Sequence, residues 1–92
     1  MDIYERFRYL RKDKLKLSQT EFGLRVGVTI GVIKNIEQKK VKPKELFIQQ
    51  VCKEYHVNYA WITQEQGEIF DNNIDDRRFS GSGTTSQNFN AG

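Results

Sequence analysis

Cysteine is nearly absent from this chain. The single Cys52 has no intrachain partner, which excludes a disulfide framework and fits a reducing interior better than a secreted scaffold. Histidine is as scarce. His56 stands alone, no Cys/His cluster accompanies it, and a metal centre is not expected. Long apolar runs are missing too. The longest is the eight-residue VGVTIGVI from Val26 to Ile33, far short of a membrane span. The N-terminal MDIYERFRYL is too charged for a secretory signal, so the expected location is the cytoplasm. Catalytic patterns are lacking as well. There is no Ser/His/Asp ordering and no phosphate-cradling glycine loop, since GVTIGV lacks the lysine and the strand–turn–helix setting a P-loop needs. An enzyme is not expected, and neither a cofactor nor a small-molecule substrate is evident.

What remains is short and basic. Ninety-two residues suit one domain with one tight core. The net charge of +3 hides an asymmetry. Residues 1–56 carry 13 Lys/Arg against 7 Asp/Glu, whereas residues 57–92 carry 2 against 5. A basic body with an acidic remainder points to a polyanionic partner, although lysines on a solvated face give the same count.

Helical signals dominate the first seventy residues. Ile3, Phe7 and Leu10 recur on one face of a first helix ending near Lys14, with Arg6, Arg8, Arg11 and Lys12 around that face. Ser18-Gln19-Thr20-Glu21 fits a capping box, after which Phe22 and Val26 face inward and Gly27 suits a left-handed helix end. Pro43 suits the first turn of a later helix carrying Phe47, Ile48, Val51, Cys52 and Tyr55. Asn58 can cap a short helix through Gln64, with Trp61 and Ile62 inward and Gly67 at its end. Trp61 and Cys52 read as core. Ile69 and Phe70 can fold back on that core. Residues 71–92, acidic and then SGSGTTSQNFNAG, read as a flexible tail of native linker or added residues.

VGVTIGVI is the ambiguous stretch. Its alternation of branched residues with glycine and threonine has the period of a strand. A lone strand in a helical chain has no partner for its backbone, so consistency favours a helix written in poor helix formers. Gly27 and Val28 then become a turn. Thr29 caps a helix through Gln38 with Val32, Ile33 and Ile36 inward, and Gly23 lies where the second helix must come close.

At this point SQTEFGLRVGVTIGVIKNIEQ resembles the helix-turn-helix of phage Cro/CI-type repressors, the xenobiotic-response-element-type regulators. The flanking LRKDKLKLSQTEFG and VCKEYHVNYAWITQEQGEIF resemble the family in Gram-positive bacteria and their phages, so the likeness covers about residues 3–70. It implies an all-α, compact five-helix lambda-repressor-like DNA-binding domain over residues 1–70, with the helix 29–38 entering the major groove. The base-facing positions it implies are Ile30, Gly31, Lys34 and Asn35, with Thr29 and Gln38 at the margins. Gln19 matches a phosphate- or base-contacting position. Lys39, Lys40, Lys42 and Lys44 match a loop that meets phosphates. The family also pairs a glutamate at the position of Glu37 with an arginine on the first helix. LRKDKLKLSQ is one residue longer than the usual spacing, so either Arg11 or Lys12 fits that place. Lys39 stands where a glycine commonly ends the third helix.

The chemistry agrees with that reading. Asn35 can bond adenine, Lys34 can bond guanine, and Ile30 can lie against a thymine methyl, each good bidentate contact being worth about 1–3 kcal/mol of discrimination. The implied function is a sequence-specific transcriptional regulator, a phage or mobile-element repressor on a palindromic operator. It would act on double-stranded DNA as a homodimer, with the dimer surface in the last helix, Ile69, Phe70 and the tail. The alternative is a protein-interaction module on the same fold, an antirepressor or an antitoxin.

Overall fold

A computed structural model of the chain describes residues 1–71, and the expected flexible tail lies, but for Asp71, outside the described residues. Five α-helices pack around one core: α1 (Ile3–Tyr9), α2 (Gln19–Val26), α3 (Ile30–Glu37), α4 (Glu45–Tyr55) and α5 (Tyr59–Gln64). Among the described residues there is no strand, only a single bridge between Val57 and Phe70. VGVTIGVI is therefore the end of α2, a turn, and the start of α3. The core comprises Phe7, Leu10, Phe22, Val26, Ile33, Ile36, Phe47, Ile48, Val51, Tyr55, Val57, Trp61 and Ile62. The Phe22 and Tyr55 rings stack at 5.2 Å, and Phe7 meets Phe47 at 5.3 Å. Ile69 and Phe70 are half-buried against this core. Cys52 is half-buried too, and burial with Glu45 nearby pushes its thiol up to about 11, which leaves it protonated and inert.

The first helix does not simply stop. From Leu10 to Lys14 it continues as a π-helix, in which the Leu15 amide donates to the Leu10 carbonyl five residues back. A wider turn of this kind takes up one extra residue without ending the helix.

Caps set the other boundaries. Asp2 and Ser18 each form a full capping box, with Glu5 and Glu21 respectively. Asn58 caps α5 by accepting from the Ala60 amide. Gly27 ends α2 at φ 81, the left-handed conformation that favours glycine. Gly23 serves a different need. A Cβ there would lie 2.8 Å from the Val28 carbonyl oxygen and 3.4 Å from that of Thr29, so the turn itself rests on this position.

Several expectations need correction. Val32 is 39% exposed rather than inward, because Ile33 and Ile36 suffice to seat so short a helix. Thr29 occupies the N-cap position of α3 but its side chain makes no capping bond. Pro43 precedes the N-cap of α4, Lys44, and lies outside the first turn. Helix α5 ends at Glu65 in a left-handed conformation, two residues before Gly67. Arg6 is not on the rim of α1 but buried, its Nε donating to the Ile62 carbonyl at 2.8 Å and its Nη2 to that of Thr63 at 3.0 Å. It satisfies the carbonyls that the end of α5 leaves open and places a cation at that helix's negative pole.

The two glycines predict different failures. Gly23→Ala forces the helix-turn-helix apart and is expected to cost about 1–3 kcal/mol. Gly27→Ala meets nothing within 4 Å and costs about 1 kcal/mol through its backbone alone. Thermal melts of both variants check the order, and Gly23→Ala as stable as the parent would refute the close approach.

Candidate nucleic-acid interface

Helix α3 carries the candidate surface because its two anchors point one way. Ile33 and Ile36 are 2% and 4% exposed. At 3.6 residues per turn, positions 30, 31, 34 and 35 fall on the opposite side. Ile30, Gly31, Lys34 and Asn35 are all exposed there, with exposed Thr29 and Gln38 at the two ends. Gly31 stands out on this face. A Cβ added to it would find only the Thr29 hydroxyl oxygen, at an ordinary 3.7 Å. The fold has room for alanine, yet the helix carries glycine at a cost of about 1 kcal/mol.

The roll of α3 is set by a buried carboxylate. Glu37 accepts from Arg11 through both oxygens, Nε to Oε2 at 2.6 Å and Nη2 to Oε1 at 3.0 Å. The side chains of Arg11 and Glu37 are 10% and 7% exposed. Arg11 also donates from Nη1 to the Leu17 carbonyl at 2.8 Å, and the Gln19 amide donates to Glu37 Oε1 at 3.0 Å. One carboxylate thus ties the π-helical segment, the first residue of α2 and the end of α3 together. Lys12, the other candidate for this place, is exposed. Gln19 is half-buried, and one of its amide hydrogens is committed to this network.

The loop after α3 begins in an ordered way. The Lys39 amide donates to the Ile36 carbonyl at 2.9 Å and that of Lys40 to Asn35 at 2.8 Å, the paired bonds of a Schellman motif. Lys39 takes the left-handed conformation at φ 63, where glycine is the usual choice. Its ammonium lies 2.8 Å from Asp2 and 3.7 Å from Glu5, so it is pinned to the start of α1. The hydrogen bond from Lys39 holds the Asp2 carboxyl below its usual range, helped by the Glu5 amide. Lys40, Lys42 and Lys44 are exposed and make no ion pair among the described residues. The four lysines therefore divide, one serving the fold and three facing solvent.

Two helices joined by a glycine turn, the second presenting a polar face, form a helix-turn-helix. A family model for helix-turn-helix proteins, of the Cro/CI type, matches residues 7–62. The chain belongs to this family. No curated protein and no solved structure matches it. This family consists of DNA-binding transcription regulators and is generally non-enzymatic. No helix among the described residues is long and apolar enough to cross a membrane, and no group of His, Cys, Asp and Glu among them could hold a metal ion.

Arg6 is the structural residue that sequence patterns do not single out, since its partners lie 56 and 57 positions away. The ion pair predicts a large effect on stability from residues that lie off the exposed face of α3. Glu37→Ala strands the Arg11 guanidinium and is expected to lose about 3–5 kcal/mol, enough to unfold much of so small a domain. Glu37→Gln should lie between the parent and Glu37→Ala. Urea titration measures both, and a loss under 1 kcal/mol for Glu37→Ala would refute the clamp.

The Asp2 shift predicts a pH dependence. Its pKa is lowered by folding, so its contribution is present above the ordinary carboxylate range and is lost as pH falls through the depressed folded value. Asp2→Asn is therefore expected to melt below the parent at neutral pH and to match it in strong acid, as thermal melts across pH would show.

Proposed function

We propose that this domain is a sequence-specific regulator, a repressor of phage or mobile-element type, that reads a palindromic operator in double-stranded DNA as a homodimer. Its setting is the cytoplasm. Helix α3 lies in the major groove with Ile30, Gly31, Lys34 and Asn35 toward the bases and Thr29 and Gln38 at the margins. Asn35 offers the donor–acceptor pair that suits adenine, and Lys34 a donor for guanine. Ile30 supplies an apolar contact for a thymine methyl. Lys40, Lys42 and Lys44 meet phosphates, with Gln19 contributing its free amide hydrogen from the start of α2. Lys39 adds its charge while remaining tied to Asp2. Phosphate contacts set position and base contacts set sequence, so the two groups should fail differently when mutated.

The observation that carries this reading is Gly31. An exposed glycine inside a helix, with room for a methyl group, is unexplained by folding and explained by a surface that must come within van der Waals distance of α3.

Two outcomes test the reading. Gly31→Ala is expected to raise stability by about 0.5–1 kcal/mol while weakening DNA binding, so melting temperature and affinity move in opposite directions. A variant that gains both would remove the argument. With about six phosphate contacts, log affinity for a duplex recovered by selection from a random pool should fall against log salt with a slope of about −5. An affinity indifferent to salt would contradict the groove geometry.

A further inference from the structure

Two carboxylates stand beside the basic loop. Lys39 opens the loop that follows α3, ahead of the exposed Lys40, Lys42 and Lys44. Its ammonium reaches the start of α1, 2.8 Å from Asp2 Oδ2 and 3.7 Å from Glu5 Oε2. One positive charge thus meets two negative ones. A phosphate brought to the same ammonium would stand close to both carboxylates, and like charges repel.

Folding does not account for this arrangement. Lys39 stands at φ 63, where glycine is the usual choice, so the backbone gains nothing from a lysine. The side chains of Lys39, Asp2 and Glu5 are 49%, 43% and 52% exposed, and an exposed ion pair contributes little to stability. The carboxylates also cap α1, but with their other oxygens. Asp2 Oδ1 accepts from the Glu5 amide at 2.8 Å, and Glu5 Oε1 accepts from the Asp2 amide at 3.0 Å. Asparagine and glutamine would cap as well, so capping does not require the charges. Each carboxylate therefore spends one oxygen on the helix and turns the second to Lys39.

We propose that Asp2 and Glu5 are positioning residues for the DNA surface: they hold the Lys39 ammonium at the start of α1, away from phosphate, and so keep affinity below what the loop's lysines could give. The proposal rests on the DNA-binding reading above and adds a restraint built into that same site. Lys39 then acts on DNA through its charge at a distance, while Lys40, Lys42 and Lys44 make direct contacts. The restraint is open to exchange. All three side chains reach solvent, and the lysine stem is flexible enough to swing its ammonium to a phosphate once the carboxylates lose their charge.

The test is a mutant cycle on the full chain: the parent, Asp2→Asn with Glu5→Gln, Lys39→Gln, and all three changes together. The amide replacements keep both caps, and thermal melts confirm that each variant folds. Binding is measured across salt on a duplex selected from a random pool and on an unrelated duplex of the same length. The double variant is expected to bind both duplexes about fivefold more tightly near 0.1 M salt, with a salt slope steeper by about 1. The gain should be equal on the two duplexes, because phosphate contacts carry no sequence information. Asp2→Asn alone leaves Glu5 within reach of Lys39 and should give part of the gain. With Lys39→Gln added the gain should vanish. A gain that survives there reflects only fewer negative charges and overturns the proposal. So does an unchanged salt slope in the double variant, or a gain confined to the selected duplex. Lys39→Gln alone should weaken binding less than Lys40→Gln; an equal loss would show Lys39 already on a phosphate and would overturn the restraint while leaving DNA binding intact. A pool that enriches no DNA removes the regulator reading, and this proposal with it.

Discussion

The Glu37 carboxylate is the constraint on which the arrangement depends. Helix α3 has eight residues and two buried anchors, Ile33 and Ile36. Two anchors on one face hold a short helix against the core but leave it free to rock about its axis. A bidentate guanidinium removes that freedom, because both carboxylate oxygens are engaged in one plane. Gln19 adds a third direction. Such a buried pair contributes little net stability compared with apolar residues of the same volume. Its effect is orientation, because it fixes which side chains of α3 face outward.

Arg11 reaches Glu37 because of the π-helical segment. A regular α-helix with one more residue would turn every later position by about 100°. A π-type turn takes one residue more than an α-helical turn, so the hydrophobic face of α1 and the chain leading into α2 are joined with Leu10 and Arg11 both buried. The Leu17 carbonyl accepts from the same guanidinium, which fastens the exit of this segment to the clamp. The widened turn and the ion pair thus form one device. The spacing of LRKDKLKLSQ favours Arg11 and keeps Lys12 as the alternative, and in space Arg11 holds Glu37 while Lys12 is exposed.

Much else was legible, and the pattern of what was not is physical. Capping residues act on their own helix within three positions, so Ser18, Asn58 and Gly27 could be read directly. The core faces of α1 and α4 follow from helical period. Arg6 could not be read, because its role depends on carbonyls of α5 that only tertiary packing brings near. The exposure of Val32 is not legible either, because a run of branched residues does not say which of its members the core has room for. Gly23 was placed correctly, although the atom it makes room for belongs chiefly to the turn rather than to the third helix. Among the lysines, charge alone treats Lys39 like Lys40, and only the position of Asp2 separates them.

The poor helix formers of α3 have an explanation in this division of labour. Ile, Gly, Val and Ile open the helix, none favourable for helix formation compared with alanine, and no side chain caps it. A peptide of this sequence would not stay helical in water at such a length. Inside the domain it needs no intrinsic propensity. The turn on Gly23 fixes its start, Ile33 and Ile36 seat it, Glu37 sets its roll, and the bonds around Lys39 close its end. Because the scaffold supplies the helix, the letters on its outer face are released from making one. They are free to be chosen for whatever they meet there, which is why the segment that looks least like a helix is the one whose outer face is available for recognition.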